Sequence, residues 1–431
     1  MIETDERGGP GGTRTTRAMV LHPDIRAHPG RRDPEAALAE AVALAEALPG
    51  LEVVGAEVVP LPKVQPGRLF GKGKLEELGA RLAEADVELV LVDGPVTPVQ
   101  QRNLERDWKV KLLDRTGLIL EIFADRARTR EGVLQVELAA LSYQRTRLVR
   151  AWTHLERQRG GLGFVGGPGE TQIEADRRAL DEAMARLRRQ LAKVVKTREL
   201  HRAARRKVPY PVVALVGYTN AGKSTLFNRL TGAEVVAKDM LFATLDPTMR
   251  AIQLPGGTRA ILSDTVGFIS DLPTQLVAAF RATLEEVLEA DVILHVRDIS
   301  HPETEEQATD VRAILSDLGV GTETPVIEVW NKIDLLDEAG AARHAARAAR
   351  AEEVVLASAL DGHGLPQLLG AVEGALGEER QRCELHLPFA EGRRRAWLYE
   401  AGVVEAERED ADGLHLTVRW TPRQAQRFRD L

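Results

Sequence analysis

The chain has 431 residues and a net charge of −7, with 44% apolar and 29% charged residues. This composition excludes a chain that is disordered throughout, and the length predicts roughly two to four domains. The single cysteine, Cys383, excludes an intramolecular disulfide and argues against a cysteine-ligated zinc site. Without an apolar run of about 18 residues, no transmembrane helix is expected. Residues 1–17 lack the apolar segment of a signal peptide and are interpreted as a flexible tail, which favours a cytoplasmic protein.

Residues 18–127 alternate short β-branched runs with helical stretches of periodic apolar residues. The predicted strands are 51–59, 88–92 and 110–113, and the predicted helices are 35–48, 74–85 and 98–107. This alternation predicts a small α/β domain with a mainly parallel sheet. Within it, the segment GKGK at 71–74 precedes a helix but lacks the spacing of a phosphate-binding loop. We interpret it as a loop and helix cap, with a nucleotide site as the alternative.

Residues 128–207 predict two helices that flank a glycine-rich break. The second helix, predicted over 173–206, would be about 50 Å long at ~1.5 Å per residue. A heptad seam runs along it, typical of a coiled coil. Its members are Ile173, Leu180, Met184, Leu187, Leu191 and Val194. Because a short loop joins the helices, we expect an antiparallel hairpin that projects as an arm.

The break at 160–169, GGLGFVGGPG, carries three bulky apolar residues, unlike an ordinary solvated linker. Residues 141–207 contain 17 Lys and Arg against 7 Asp and Glu, a net charge of +10 that leaves −17 for the rest of the chain. This polarity favours an arm that binds the phosphate backbone of RNA. A flexible tip on a solvated coiled coil is the alternative.

The most informative region is 208–380. An apolar strand predicted at 212–216 precedes GYTNAGKS at 217–224, which a helical stretch follows. This is the phosphate-binding loop pattern in the strand–loop–helix setting that it requires. Lys223 is expected to reach the β and γ phosphates and Ser224 to bind Mg²⁺. By itself the pattern indicates only an NTPase or a kinase.

Three shorter motifs follow, each after a predicted strand. DTVG supplies Asp264, expected to hold Mg²⁺ through water, and Gly267, whose N–H is expected to sense the γ phosphate. NKID supplies Asp334, whose carboxylate would pair with guanine but not with adenine. SAL at 358–360 is expected to close over the guanine oxygen. These motifs at the carboxyl ends of strands predict a guanine-nucleotide site in an open α/β sheet.

Residues 381–431 predict a small α+β domain. Strands are expected at 384–388 and 414–420, and a helix is expected at 393–399. The overall fold class is therefore α/β: an N-terminal α/β domain, an antiparallel helical-hairpin arm, a P-loop GTPase domain and a small α+β C-terminal domain.

Four segments resemble the HflX family of ribosome-associated GTPases. They are HLERQRGGLGFVGGPGETQIEADRR at 154–178, GYTNAGKSTLFNRL at 217–230, LFATLDPTMR at 241–250 and DTVGFISDLP at 264–273. The resemblance covers about residues 18–377. It implies a cytoplasmic GTPase that cycles between GTP and GDP, binds the ribosome, chiefly the large subunit and its rRNA, and splits stalled ribosomes under stress. We expect a monomer.

Carried onto this sequence, the resemblance implies that Thr244, in the first switch, joins Ser224 on Mg²⁺, and that residues 264–273 form the second switch. Lys223, Thr244 and Gly267 are the expected catalytic residues. Asn220 matches a position that some related GTPases use to hold K⁺, so stimulation by K⁺ is a hypothesis. The full expected nucleotide-binding set is Gly217, Tyr218, Thr219, Asn220, Ala221, Gly222, Lys223, Ser224, Phe242, Ala243, Thr244, Leu245, Asp246, Asp264, Thr265, Val266, Gly267, Asn331, Lys332, Ile333, Asp334, Ser358, Ala359 and Leu360.

Phe268 follows DTVG at the position where many GTPases carry a glutamine that orients water. We therefore expect slow intrinsic hydrolysis that a partner or an ion accelerates. Three alternatives stay open: a GTPase of ribosome assembly or tRNA modification, a metabolic phosphotransferase, and a non-catalytic RNA-binding module stabilised by nucleotide.

Overall fold

The computed structural model describes residues 15–25, 32–158, 168–205, 210–233, 241–242, 244–245, 248–270, 287–321, 324–351, 353–377, 381–389, 391–409, 413–420 and 422–429. They form two compact units. The first draws on residues 1–194, 238–246 and 271–280, and the second on the remainder of the chain. Each unit contains a parallel sheet and is described separately.

The first unit contains a four-stranded sheet in the order β2-β1-β3-β4, with parallel pairing throughout. The strands are β1 Thr16–Ile25, β2 Leu51–Leu61, β3 Leu89–Val92 and β4 Lys111–Asp114. The predicted parallel α/β domain is therefore confirmed. Strand β1 was missed, and the expected flexible tail ends too late, because Thr16 and Arg17 already pair with β2.

Four helices accompany this sheet: α1 Pro34–Glu46, α2 Lys72–Glu84, α3 Pro98–Trp108 and α4 Arg115–Arg126. Side chains cap three of them. Asp33 accepts from the first-turn N–H groups of α1, Thr97 forms a capping box on α3, and Asp114 accepts from Gly117 N on α4. Helix α4 was not predicted from the sequence.

Two long helices follow, α5 Arg130–Gln158 and α6 Pro168–Arg205. Arg145 lies 13 residues before the end of α5 and Asp181 13 residues after the start of α6, and their side chains form a 2.7 Å ion pair. This symmetric pairing fits the expected antiparallel hairpin. Within the described part of the seam, 180–194, every heptad residue is at least half-buried, and Met184 is buried. Residues 160–167 of the predicted tip lie outside the described ranges.

The second unit contains a six-stranded sheet in the order β10-β9-β8-β5-β7-β6. Its strands are β5 Val212–Gly217, β6 Thr248–Gln253, β7 Arg259–Asp264, β8 Val292–Asp298, β9 Val326–Asn331 and β10 Val354–Leu356. Only β6 is antiparallel, against β7. The described helices around it are α7 Lys223–Thr231, α8 Thr304–Leu318, α9 Glu338–Ala348 and α10 Leu365–Leu376. Strands β5, β8 and β9 are almost fully buried, as expected for a sheet with both faces covered.

The C-terminal part of the second unit has a three-stranded antiparallel sheet, β11-β13-β12. Its elements are β11 Gln381–Leu387, α11 Gly392–Glu400, β12 Val404–Glu409, β13 Leu414–Trp420 and α12 Pro422–Arg429. The strands and helix expected here are present, and β12 and α12 were missed. Across the described ranges, none of the helices combines the length and the apolar character needed to span a bilayer.

Candidate nucleotide-binding site

The phosphate-loop motif lies between the end of β5 and the start of α7. Gly222 is the N-cap of α7 with a φ of 91°, and a Cβ there would lie 2.2 Å from Asn331 Nδ2. The loop therefore needs glycine at this position for both its backbone conformation and its close contact. No side-chain hydrogen bond caps the first turn of α7. This leaves the N-terminus of α7 suited to an anion that accepts from backbone N–H groups.

Lys223 is the first residue of α7 and is 6% exposed. Its ammonium donates to Gly217 O at 3.0 Å and to Tyr218 O at 2.7 Å, so it turns back over the loop that precedes it. Burial lowers the pKa of Lys223 to about 8, against the opposing charge of Asp264. A buried cation held by neutral carbonyls is well prepared to bind a phosphate.

Ser224 and Asp264 lie together at the ends of neighbouring elements. Ser224 Oγ donates to Asp264 Oδ2 at 2.8 Å, and Asp264 is completely buried as the last residue of β7. A hydroxyl and a carboxylate are hard oxygen donors of the kind that Mg²⁺ prefers. These residues therefore fit the expected metal site. Among the described residues, no cluster of three or more His, Cys, Asp or Glu side chains offers another one.

The segment expected to form the second switch runs alongside the phosphate loop. Thr219 N donates to Phe268 O at 2.7 Å, and Phe268 N donates to Gly217 O at 3.1 Å, which forms a short parallel bridge. Gly267 packs closely here, because a Cβ on it would lie 2.8 Å from Thr219 Cγ2 and 3.1 Å from Lys223 Nζ. The described part of this switch ends at 270, and 271–273 lie outside it.

Two residues between Asp264 and Gly267 belong to the core of the loop. Thr265 is buried, and its hydroxyl donates to Leu215 O at 2.6 Å. Val266 is also buried, at 7% exposure. These contacts attach the DTVG segment to β5, so the segment starts from a fixed position next to the phosphate loop.

Asn331, the last residue of β9, joins three of the predicted motifs. Its amide donates to Ala221 O in the phosphate loop at 2.8 Å, and its Oδ1 accepts from Ala359 N at 2.9 Å. Asn331 is 1% exposed. One side chain therefore holds the phosphate loop, the NKID motif and the SAL loop in a fixed arrangement.

The remaining NKID residues form a turn at the surface. Lys332 has a φ of 66°, and its ammonium forms a 2.8 Å ion pair with Asp298 at the end of β8. Ile333 and Asp334 lie in a 3₁₀ turn, Ile333–Leu335. Asp334 is exposed in the middle of this turn, so water reaches its carboxylate in the protein chain by itself. Its pairing with guanine stays a prediction.

The SAL loop follows β10. Ser358 is fully buried, and its carbonyl accepts from Gly362 N at 2.9 Å. Ala359 is buried against the core, whereas Leu360 is 72% exposed. The three residues therefore play different structural parts, and Ala359 is the one that contacts Asn331.

The expected first switch is only partly described, and its described residues belong to the first unit. Phe242 is 2% exposed and packs edge-on against Phe123 of α4, with ring centroids 4.6 Å apart at 80°. Thr244 and Leu245 are also buried. Ala243 and Asp246 lie outside the described residues. The role of Thr244 at the metal stays a prediction.

Sequence reasoning missed several residues of the site. Asp298, which holds Lys332, and Asp310, which accepts a 2.8 Å hydrogen bond from Ser270, carry no motif. The phenol of Tyr218 also binds Ser270. Each partner is at least 34 residues away along the chain, so no local pattern links them.

Comparison with families of known proteins gives four matches that together cover most of the chain. Residues 35–124 match the model described as "GTP-binding GTPase N-terminal", and residues 126–205 match "GTP-binding GTPase Middle Region". Residues 212–332 match "50S ribosome-binding GTPase", and residues 344–430 match "HflX C-terminal domain".

Similar curated proteins agree with these matches. GTPase HflX of Magnetococcus marinus is 53% identical over 375 residues, which cover 86% of this chain and 85% of that protein. GTPase HflX of Escherichia coli is 46% identical over 84% of this chain and 83% of its own length. Putative GTP-binding protein 6 of Xenopus laevis is 36% identical over 92% of this chain and 76% of its own length.

Solved structures give a weaker likeness. A GTP-binding protein from Sulfolobus solfataricus, solved in complex with GDP, is 23% identical and aligns with 84% of this chain and 99% of its own, with a TM-score of 0.46. The assignment of the chain to a family therefore rests on the sequence matches.

Proposed function

Because the chain belongs to the HflX family of GTPases and hydrolyses GTP, we propose that it is a nucleotide-dependent switch that binds the large ribosomal subunit and splits stalled ribosomes under stress. The match of residues 212–332 to the model described as 50S ribosome-binding GTPase is the observation behind the ribosomal part. The junction at Asn331, which ties the phosphate loop to both guanine motifs, supports the nucleotide-dependent part. A monomeric, cytoplasmic protein is part of the same proposal.

In this proposal Lys223 contacts the β and γ phosphates, and the N–H of Gly267 reads the γ phosphate. The two residues are neighbours in the structure, since a Cβ on Gly267 would lie 3.1 Å from Lys223 Nζ. Asp334 accepts hydrogen bonds from guanine, and the alkyl stem of Lys332 covers the face of the base. Loss of the γ phosphate on hydrolysis removes the contact to Gly267 and with it the stabilisation that this phosphate gives to the second switch.

Ser224, Thr244 and Asp264 are the proposed Mg²⁺-binding residues, with Asp264 acting through water. When bound, Mg²⁺ neutralises charge that develops on the phosphates. The contact between Ser224 and Asp264 supports this assignment, since it brings the two oxygens within 2.8 Å of each other.

Hydrolysis by the chain alone is proposed to be slow. Phe268 has an apolar side chain that is 2% exposed, and it cannot orient water. A group from the ribosome or an ion must then complete the site, and a group supplied in trans is worth about 10⁵ in related switches. Asn220, exposed and with a φ of 59°, is the proposed K⁺ ligand. Equal GTP turnover in Na⁺ and K⁺ buffers would remove K⁺ from the proposal.

The arm formed by α5 and α6 is the proposed contact with rRNA. Its described surface carries exposed arginines, including Arg186, Arg188 and Arg189 on α6. Replacing these three with glutamine should reduce the slope of log affinity against log salt by about 2–3. Replacing Arg382, Arg408 and Arg419 of the C-terminal sheet, which are also exposed, is the matched control. An unchanged slope for the arm variant would contradict the proposed contact.

The decisive experiment is ribosome pelleting with GTP, GDP and a non-hydrolysable GTP analogue. A switch co-sediments with the analogue and is released with GDP. Equal sedimentation with every nucleotide would reject the switch. A passive RNA-binding module shows no stimulation of GTP turnover by ribosomes, which separates that alternative.

Sucrose gradients then separate splitting from ribosome assembly or tRNA modification, because only splitting converts added intact ribosomes into subunits. Deletion of 160–169 should abolish splitting and preserve GTP affinity. Replacing Leu162, Phe164 and Val165 with serine keeps the length of the chain and isolates the apolar contribution. Loss of GTP binding in either variant would argue against this division of labour.

A further inference from the structure

Three side chains connect the phosphate loop, the second switch and α8 by hydrogen bonds. The Tyr218 hydroxyl donates to Ser270 Oγ at 2.8 Å, and Ser270 Oγ donates to Asp310 Oδ2 at 2.8 Å. The backbone N–H of Ser270 donates back to the Tyr218 oxygen at 2.7 Å. Tyr218 and Ser270 are each 5% exposed. Water therefore competes little for the two bonds between Tyr218 and Ser270, which are stronger in a buried setting, whereas the bond to Asp310 is partly buried.

Asp310 fixes the direction of the whole chain of bonds. An ionised carboxylate can only accept, so the single proton of the Ser270 hydroxyl points to Asp310. Ser270 Oγ is then left as an acceptor, which Tyr218 satisfies with its own proton. The Tyr218 oxygen in turn accepts from the Ser270 N–H. The three bonds are mutually consistent, and the one to Asp310 is strengthened by charge.

The geometry around these residues shows what they restrain. Two residues before Ser270, the backbone of Phe268 is bridged to Gly217 and Thr219. Upstream, the switch begins at Asp264, which β7 holds. Gly267 therefore lies in a short segment that is fixed at both ends.

We infer that Tyr218, Ser270 and Asp310 are positioning residues that hold Gly267 beside Lys223, so that both can contact one γ phosphate. This inference rests on the proposed function, in which Gly267 senses that phosphate. Holding the segment in place removes part of the entropy cost of ordering it around GTP. GDP lacks the γ phosphate and gains nothing from the restraint.

A purely structural role for the phenol makes a different prediction. General damage to the phosphate loop would weaken GDP and a GTP analogue alike, because both use that loop. Loss of positioning should lower only the ratio of analogue affinity to GDP affinity. Equilibrium binding of fluorescent GDP and of a fluorescent non-hydrolysable GTP analogue measures this ratio in the full-length protein with Mg²⁺.

Tyr218→Phe keeps the buried ring and removes only the hydroxyl. We expect it to lower the ratio about three- to tenfold, the range for one lost buried hydrogen bond. Ser270→Ala should act in the same direction, and Ser270→Thr, which retains a hydroxyl, should restore most of the ratio. The double variant Tyr218→Phe with Ser270→Ala should be no worse than the more severe single change, since both break one connected chain.

Tyr210→Phe is the matched control, because Tyr210 lies just before β5 and is 40% exposed. It should leave the ratio unchanged. Gly267→Ala separates the two levels of the proposal. If it leaves the ratio intact, the proposed sensing by Gly267 is wrong. If it lowers the ratio while Tyr218→Phe and Ser270→Ala do not, only the positioning role fails. Equal weakening of both nucleotides by Tyr218→Phe also overturns that role.

Discussion

The parallel strands of the first two sheets end in polar residues at their carboxyl edge, and the two units use these residues differently. In the first unit, the helices that follow β1, β3 and β4 are each capped by a side chain, and among the four helices around that sheet only α2 begins after a glycine without one. In the second unit, α7 follows β5 with glycine at its N-cap and no side-chain cap. The first arrangement satisfies the helix ends within the protein, and the second leaves a phosphate-sized partner to do so.

Buried charges show the same contrast. At the edge of the first sheet, Arg115 pairs with Asp93 at 2.6 Å and with Glu40, while His22 contacts Asp93 at 2.7 Å. In the second unit the buried Lys223 is held mainly by backbone carbonyls. The carboxyl edge of a parallel sheet therefore gathers charge in both units, and the identity of the counter-charge distinguishes a structural cluster from a candidate site.

The largest expected effect is on the structural cluster. Arg115→Ala removes the buried cation that Asp93 and Glu40 share and leaves them only His22 and Arg32. It should therefore cost about 3 kcal/mol of local stability, the lower end of the range for a broken buried ion pair. Amide hydrogen exchange of β1 and β3 in the full chain measures this loss. Arg81→Ala removes a half-exposed partner of Glu57 and should cost about 1 kcal/mol or less. Similar exchange rates in the two variants would remove the contrast.

Asp93 gives this cluster a pH signature. Burial acts to raise the pKa of Asp93, but the His22 hydrogen bond and the Arg115 charge outweigh it and hold the pKa below the ordinary 3.8. The stabilisation is therefore fully present above pH 3.8 and is lost as the pH falls through the lower folded value. An acid titration monitored by hydrogen exchange should show that β3 stays protected below pH 3.8. In Arg115→Ala this protection should disappear at a higher pH.

Two lysines that each directly follow a glycine, Lys223 and Lys74, give a direct test of the site. Lys223→Ala should reduce GTP turnover by about 10²–10³, the usual effect of removing one preorganised donor to a developing charge. Lys74, in the GKGK segment, is engaged by Glu57 and Glu77. Lys74→Ala should therefore leave turnover within about twofold of the starting value. A comparable loss in both variants, measured by phosphate release, would reopen a nucleotide role for GKGK.

A smaller effect follows from the pKa of Lys223. Because burial lowers this pKa to about 8, the free protein loses the lysine proton between pH 7 and pH 9. If only the protonated form binds phosphates, the affinity for GDP should fall about tenfold over that range. Lys223→Ala should bind GDP weakly and without this pH dependence. Any change that remains in this variant reports titration of the guanine base and can be subtracted. A flat profile for the wild-type protein would mean that the pKa of Lys223 lies outside the tested pH range.

The smallest effect concerns the guanine motif. Asp298→Ala removes the ion pair that holds the Lys332 ammonium, with both side chains partly buried. GTP affinity should fall about two- to fivefold, as expected for a partly exposed pair of up to ~1 kcal/mol. Asp317→Ala, on α8 and outside the motif, is the control. Titration calorimetry at two salt concentrations should show that the difference shrinks at high salt.

Local sequence patterns were sufficient for most helices and strands and for the order of the motifs. The run VVALV predicts β5, and the alternation in LHLTVRW predicts β13 with its observed bounds. Such predictions succeed because the spacing of apolar residues shows which faces of an element are buried. Strand β1 escaped because Pro23 argues against a central strand. The structure accommodates it, since β3 pairs only with residues 18–21 of β1.

What the sequence determined by itself is the chemistry at hand: a phosphate loop, a guanine motif, a cationic arm, and their order along the chain. Only the tertiary structure decided how these parts contact one another. Asn331 meets Ala221 across 110 residues, and Tyr218 meets Ser270 across 52. The pairing of strands in a sheet brings such residues together. A hydrogen bond between distant residues does not produce a periodic sequence pattern, so the sequence alone does not predict it.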